Sequence, residues 1–138
     1  MSLETLYPLG TEAIRRAETL EDLGAPDAHR AYREVSFLEE KVAEALPATD
    51  PEGALARRGA VRAALAARER TRAQQLVARF LSEADLGAEL RIDLLRLLEQ
   101  DERASAARFP RVAATLGFGE IRRLAHAFIQ QGAPFPIG

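Results

Sequence analysis

The chain has no cysteine, no tryptophan and no asparagine; it carries a single lysine, Lys41, and two histidines, His29 and His126. The lack of cysteine excludes a disulfide framework, a thiol nucleophile and a thiolate metal site. Helical-bundle metal sites use inward-facing Glu-x-x-His pairs, yet the residues three before His29 and His126 are Pro26 and Arg123. No H-E-x-x-H, EF-hand loop or Gly-rich phosphate loop is present. There is no G-x-S-x-G elbow, and Ser36, Ser82 and Ser105 sit in plain helical contexts, so no nucleophile–base set emerges. Adjacent acids such as Glu39-Glu40 and Asp101-Glu102 diverge on a helix and form no acid/base pair by themselves. Both histidines fall off the apolar arcs of their helices and read as surface residues. The expectation is a non-enzymatic protein with no catalytic residue, no metal and no cofactor.

Long apolar runs are missing as well. No 18-residue apolar stretch exists, so no membrane span and no membrane partner are expected. The N-terminus lacks a basic segment followed by an apolar one, so no signal peptide is expected, and a cytoplasmic location is the expectation. Valine and isoleucine are few and no alternating pattern runs far enough for a strand.

What remains is the material of a helical domain. Of 138 residues, 47% are apolar and 29% charged, which supports a packed core rather than disorder. The bias toward arginine and alanine is the kind associated with GC-rich bacterial genomes.

Punctuation divides the chain into helices. Thr11 can N-cap a first helix running to about Leu23, with Gly24 at its C′ position. A second starts at Pro26 and ends at Leu46, where Pro47 blocks continuation. Thr49 or Asp50 caps a third, and no breaker lies between Ala60 and Asp85, so the spacing predicts one long central helix over about 50–84. Gly53 and Gly59 weaken its first turns. A fourth helix follows Gly87, from about Ala88 to Glu102, fraying on to Phe109. Pro110 starts a short fifth, and Gly119 or Glu120 a sixth that ends at Gly132. The predicted fold is all-α: a five- or six-helix, bundle-like array, with one domain over 1–132 and an extended tail over 133–138.

The helical wheel assigns faces. In the second helix Ala28, Ala31, Tyr32, Val35, Leu38, Val42 and Leu46 share one arc, which is the expected core stripe. Phe37 lies opposite, among Arg30, Arg33, Lys41 and Glu44, and is a candidate contact for a partner or a second copy. Leu86, Leu90, Leu94, Leu97 and Leu98 line one side of the fourth helix, while Ile92 departs from them, so this helix is expected to touch two neighbours.

Charge is segregated along the chain. Residues 1–52 hold 12 acids and 5 bases, whereas residues 53–80 hold 7 arginines and one acid, Glu69. Two readings compete. Arg58 and Arg62 pair inside the fold with acids of the second helix, Glu39 being the candidate. Alternatively, Arg57, Arg68, Arg72 and Arg79, which cluster on the wheel of a continuous helix, form an outward stripe for an anionic partner. The segment 109–128 has the spacing of a helix-turn-helix around Gly117. Its second helix, however, puts Arg123 and His126 where apolar residues belong. If that segment does read DNA, Arg122 and Arg123 are the contacts.

The residues favour a helical protein-interaction module that meets a protein partner or itself, as a homodimer or other homo-oligomer. Its candidate contacts are Phe37, Arg57, Arg68, Arg72, Arg79 and the Pro-flanked Phe135 of the tail. The alternative is a DNA-associated regulatory domain using the arginine stripe or the 109–128 segment. A sequence pI near 5.8 weighs against a dedicated nucleic-acid binder.

Overall fold

A computed structural model describes residues 1–108 of the chain. The segment 109–128, the histidine at 126, Arg122, Arg123 and Phe135 therefore lie outside the described residues. Five α-helices are described: α1 (Leu3–Asp22), α2 (Ala28–Ala45), α3 (Pro51–Ala66), α4 (Arg70–Leu81) and α5 (Ala88–Arg108). The fold is all-helical. No helix among the described residues is long and apolar enough to cross a membrane.

Local chemistry explains most of the boundaries. Ser2, not Thr11, caps α1: its side chain accepts from the Thr5 amide. Thr11 lies inside the helix, where its hydroxyl donates to the Tyr7 carbonyl one turn back at 3.0 Å. The helix ends at Gly24, which takes φ +66°; the Gly24 and Ala25 amides donate to the carbonyls of Glu21 and Leu20. That pair of bonds is a Schellman motif, the ending a glycine at C′ favours. Asp50 caps α3 by accepting from the Glu52 amide at 2.8 Å, and Pro51 occupies the first turn as expected.

The long central helix is a correction. The chain breaks between Ala66 and Arg70, giving α3 and α4 in place of one helix over 50–84. The break is a second Schellman motif: the Arg68 and Glu69 amides donate to the carbonyls of Leu65 and Ala64. Here the left-handed residue is Arg68, φ +61°, a position no glycine marks. Groups of α2 hold the corner from outside. Arg33 Nε donates to Glu69 Oε1 at 2.8 Å, and His29 Nδ1 lies 3.4 Å from the terminal Ala66 carbonyl oxygen.

The chain divides into two compact units, Met1–Leu94 and Leu95–Gly138. In the first, α2 packs extensively with both α1 and α3, and α3 packs with α4. Buried alanines let these helices approach closely: Ala13 and Ala17 on α1, Ala31 on α2 and Ala63 on α3 cluster with Val35. Ala60, Val61 and Ala64 of α3, with Ala73, Leu76, Val77 and Phe80 of α4, are buried as well. Gly53 is required by another close approach, since a Cβ there would stand 2.1 Å from the Pro47 carbonyl oxygen. In α5, Leu90 and Leu94 are buried, whereas Ile92, expected to touch a second neighbour, is exposed. The described part of the second unit, Leu95–Arg108, is the remainder of α5 and carries an Arg103–Glu99 ion pair one turn apart.

Candidate functional site

The direction of the helices creates a groove. The Ser36 hydroxyl donates to the Ala60 carbonyl and His29 meets Ala66, so α2 and α3 run antiparallel. On the other side Arg16 of α1 pairs with Glu34 of α2, while the Tyr7 hydroxyl of α1 donates to Glu52 of α3. Helices α1 and α3 thus run in the same direction on either side of α2.

Two clefts open along the seam between them. One, of about 250 Å³, is lined by Tyr7, Gly10 and Ile14 of α1, Leu38, Glu39 and Val42 of α2, and Glu52 and Leu55 of α3. The other, of about 440 Å³, is lined by Ile14 and Glu18 of α1, Tyr32, Val35 and Glu39 of α2, and Leu55, Gly59, Arg62 and Ala63 of α3. Ile14, Glu39 and Leu55 line both, so the clefts are two lobes of one groove with those residues at its waist. Leu55 is 62% exposed at the lip.

Glu39 is a half-buried carboxylate on the groove floor that no side chain of the described residues pairs with. The expected pairing with Arg58 or Arg62 does not form. Arg58 reaches Asp93 of α5 at 3.3 Å, and Arg62 is exposed at the rim. Among the described residues no cation or hydrogen-bond donor meets the Glu39 carboxylate. Its side chain lies along Gly59, where a Cβ would stand 3.0 Å from Glu39 Cδ. Burial pushes the Glu39 carboxyl above the usual carboxylate range. Nearby, Tyr32 is raised by burial and then by the charge of Glu21, and Tyr7 by its hydrogen bond to Glu52.

The arginine stripe of a straight helix is not what the fold builds. Arg57 is 3% exposed and forms a two-point ion pair with Glu83. Arg72 donates to Glu40 Oε1 at 2.7 Å and to the Ser36 hydroxyl at 3.2 Å, and Arg79 meets Glu40 Oε2 at 2.8 Å. Arg68 sits at the α3–α4 corner, exposed and without a partner among the described residues. The break in the helix is the physical reason: it folds α4 back along α2, where its arginines find Glu40. Phe37 is drawn into the same cluster. It is 48% exposed, but the Arg72 guanidinium lies 4.2 Å from its ring centroid, a cation–π stack across the helix pair.

Sequence reasoning missed Glu40, Ser36 and Glu83 as arginine partners and Leu55 as the lip of a groove. A cue was available for Glu40, which lies one turn beyond Ser36 on the α2 face that meets α4. Nothing local pointed to Glu83, which depends on α4 reversing direction. No protein-family model, no curated protein and no solved structure matches the chain.

Proposed function

We propose that this chain is a cytoplasmic, non-enzymatic helical interaction module that receives a segment of another protein in the groove between α1 and α3. One observation carries the reading. Two helices that flank α2 in parallel leave its apolar residues Val35, Leu38 and Val42 as the floor of an open groove, with Leu55 projecting at the lip. An open apolar channel with polar rims is the surface that helix-in-groove recognition uses. The commitment of Arg57, Arg72 and Arg79 to carboxylates within the chain supports a protein partner over a nucleic-acid one.

The test is site-specific photo-crosslinking in cells, with the reactive side chain at Leu55 and, as control, at Ile92, which is also exposed. A discrete protein adduct from position 55 alone is expected. Binding of that purified partner should be lost on Leu55→Asp, with the melting temperature of the variant unchanged. Adducts of equal yield from both positions, or a partner indifferent to Leu55→Asp, would refute the reading.

A further inference from the structure

We propose, resting on the groove reading above, that the occupant is an amphipathic helix carrying a lysine or arginine within its apolar face, and that Glu39 is the residue that receives this cation. The dimensions suit a helix. From Tyr7 to Glu18, α1 advances about 17 Å at a helical rise of 1.5 Å per residue, so the groove accepts about three turns. The two lobes meet at Glu39, which places the carboxylate under the middle of such a segment and not at its ends.

Charge selects the partner. The ionisable groups facing the groove are Tyr7 and Glu18 from α1, Tyr32 and Glu39 from α2, and Glu52 and Arg62 from α3. Glu52 accepts the Tyr7 hydroxyl, and Arg62 stands out at the rim. Three carboxylates against one arginine leave the groove acidic, and only Glu39 lies on its floor. A carboxylate held among Val35, Leu38 and Val42 with no counter-ion is a cost the free fold carries. An apolar helix alone would seal Glu39 away from water and raise that cost. A helix that brings its own cation removes it, because the ion pair forms in a site where the acid is already partly desolvated. Gly59 keeps the space open in which the carboxylate lies.

The experiment is a selection from a displayed library of helical peptides of about four turns. One central position of the apolar face is varied among leucine, glutamine, glutamate, lysine and arginine. The full chain and its Glu39→Gln variant serve as parallel baits. On the wild-type chain, lysine or arginine should be enriched about tenfold over leucine, in line with a charge-assisted hydrogen bond in a partly buried site. On Glu39→Gln the preference should vanish, and on Leu55→Asp the selected peptides should not bind. Peptides that need Leu55 but show no basic preference would overturn the role of Glu39 while leaving the groove reading intact. Peptides indifferent to Leu55→Asp, or none selected, would remove both. Sedimentation showing Leu55-dependent self-association would place a second copy in the groove and overturn the inference as well.

Discussion

Arg57 on α3 grips Glu83 through two parallel hydrogen bonds, Nε to Oε2 at 2.8 Å and Nη2 to Oε1 at 2.6 Å. Its remaining nitrogen, Nη1, donates to the carbonyls of Leu46 and Gly53 at 3.1 and 2.9 Å. One guanidinium therefore ties the end of α2, the first turn of α3 and the end of α4 together. Only the planar fork of arginine satisfies that many acceptors at once.

Removing Glu83 leaves that charge buried with only two carbonyls and the Phe80 ring to answer it. Glu83→Ala should lower stability by about 3 kcal/mol, the range for breaking a buried pair from one side. Urea unfolding followed by far-UV circular dichroism measures it. A loss under about 1 kcal/mol would reduce the pair to the worth of a surface ion pair.

The same residue shows where the sequence was legible and where it was not. The all-helical class, the Asp50-Pro51 start, the Gly24 stop and the α2 core stripe followed from residues within one or two turns of each other. Arg57 was misplaced because its partner lies 26 positions away. That partner comes within reach only if the chain reverses at Arg68. The reversal carries no glycine or proline, so local propensity favours a continuous helix; the break is seen only in tertiary structure, where Arg33 and His29 meet the corner. The groove was equally hidden. It depends on α1 and α3 lying parallel beside α2, which no single helix encodes.

Arg68 makes a direct prediction. A side chain in the left-handed region is opposed by its own Cβ, a cost of about 1 kcal/mol that glycine does not bear. Arg68→Gly should therefore raise stability by about 0.5–1 kcal/mol, despite the greater freedom glycine gives the unfolded chain. Arg68→Val should lower it. Thermal unfolding of the two variants side by side decides the matter. A gain from both would mean that charge, not backbone conformation, sets the outcome.

Gly53 should be intolerant for a different reason. Its φ is ordinary, but a Cβ would collide with the Pro47 carbonyl, which is backbone and cannot swing aside. Gly53→Ala forces the α2–α3 connection apart and displaces a carbonyl acceptor of Arg57. The expected loss is about 2–3 kcal/mol, the scale of overpacking in a close-packed interior. Alanine at Gly10, where nothing lies within 4 Å of a Cβ, should be neutral or stabilising.

Glu40 predicts an acid limb. Burial alone would raise its carboxyl, but the hydrogen bonds and charges of Arg72 and Arg79 outweigh it and hold the group below the usual range. A depressed folded pKa stabilises the protein above the unfolded value, about 4.3 for glutamate. That contribution is lost as pH falls through the folded value. Glu40→Gln should thus be clearly less stable than wild type at pH 7, with the difference shrinking toward pH 3. Phe37→Ala, which removes the ring beneath Arg72, should weaken the same cluster. A constant offset from pH 7 to 3 would show that Glu40 acts by packing and not by charge.

Glu39 should do the reverse. Its folded pKa is raised, so the fold prefers the neutral acid. Below the unfolded value both states are protonated and the residue costs little. As pH rises from there through the folded value, the native state must ionise a partly desolvated group, and stability falls relative to a neutral side chain. Glu39→Gln, which keeps the shape, should therefore be more stable than wild type at pH 7 by about 1 kcal/mol, at the low end of uncompensated polar burial. The gain should disappear near pH 4. Paired urea titrations at the two pH values give the comparison. Equal stabilities at pH 7 would mean that water already solvates the carboxylate fully, and the unfavourable position on which its binding role depends would not exist.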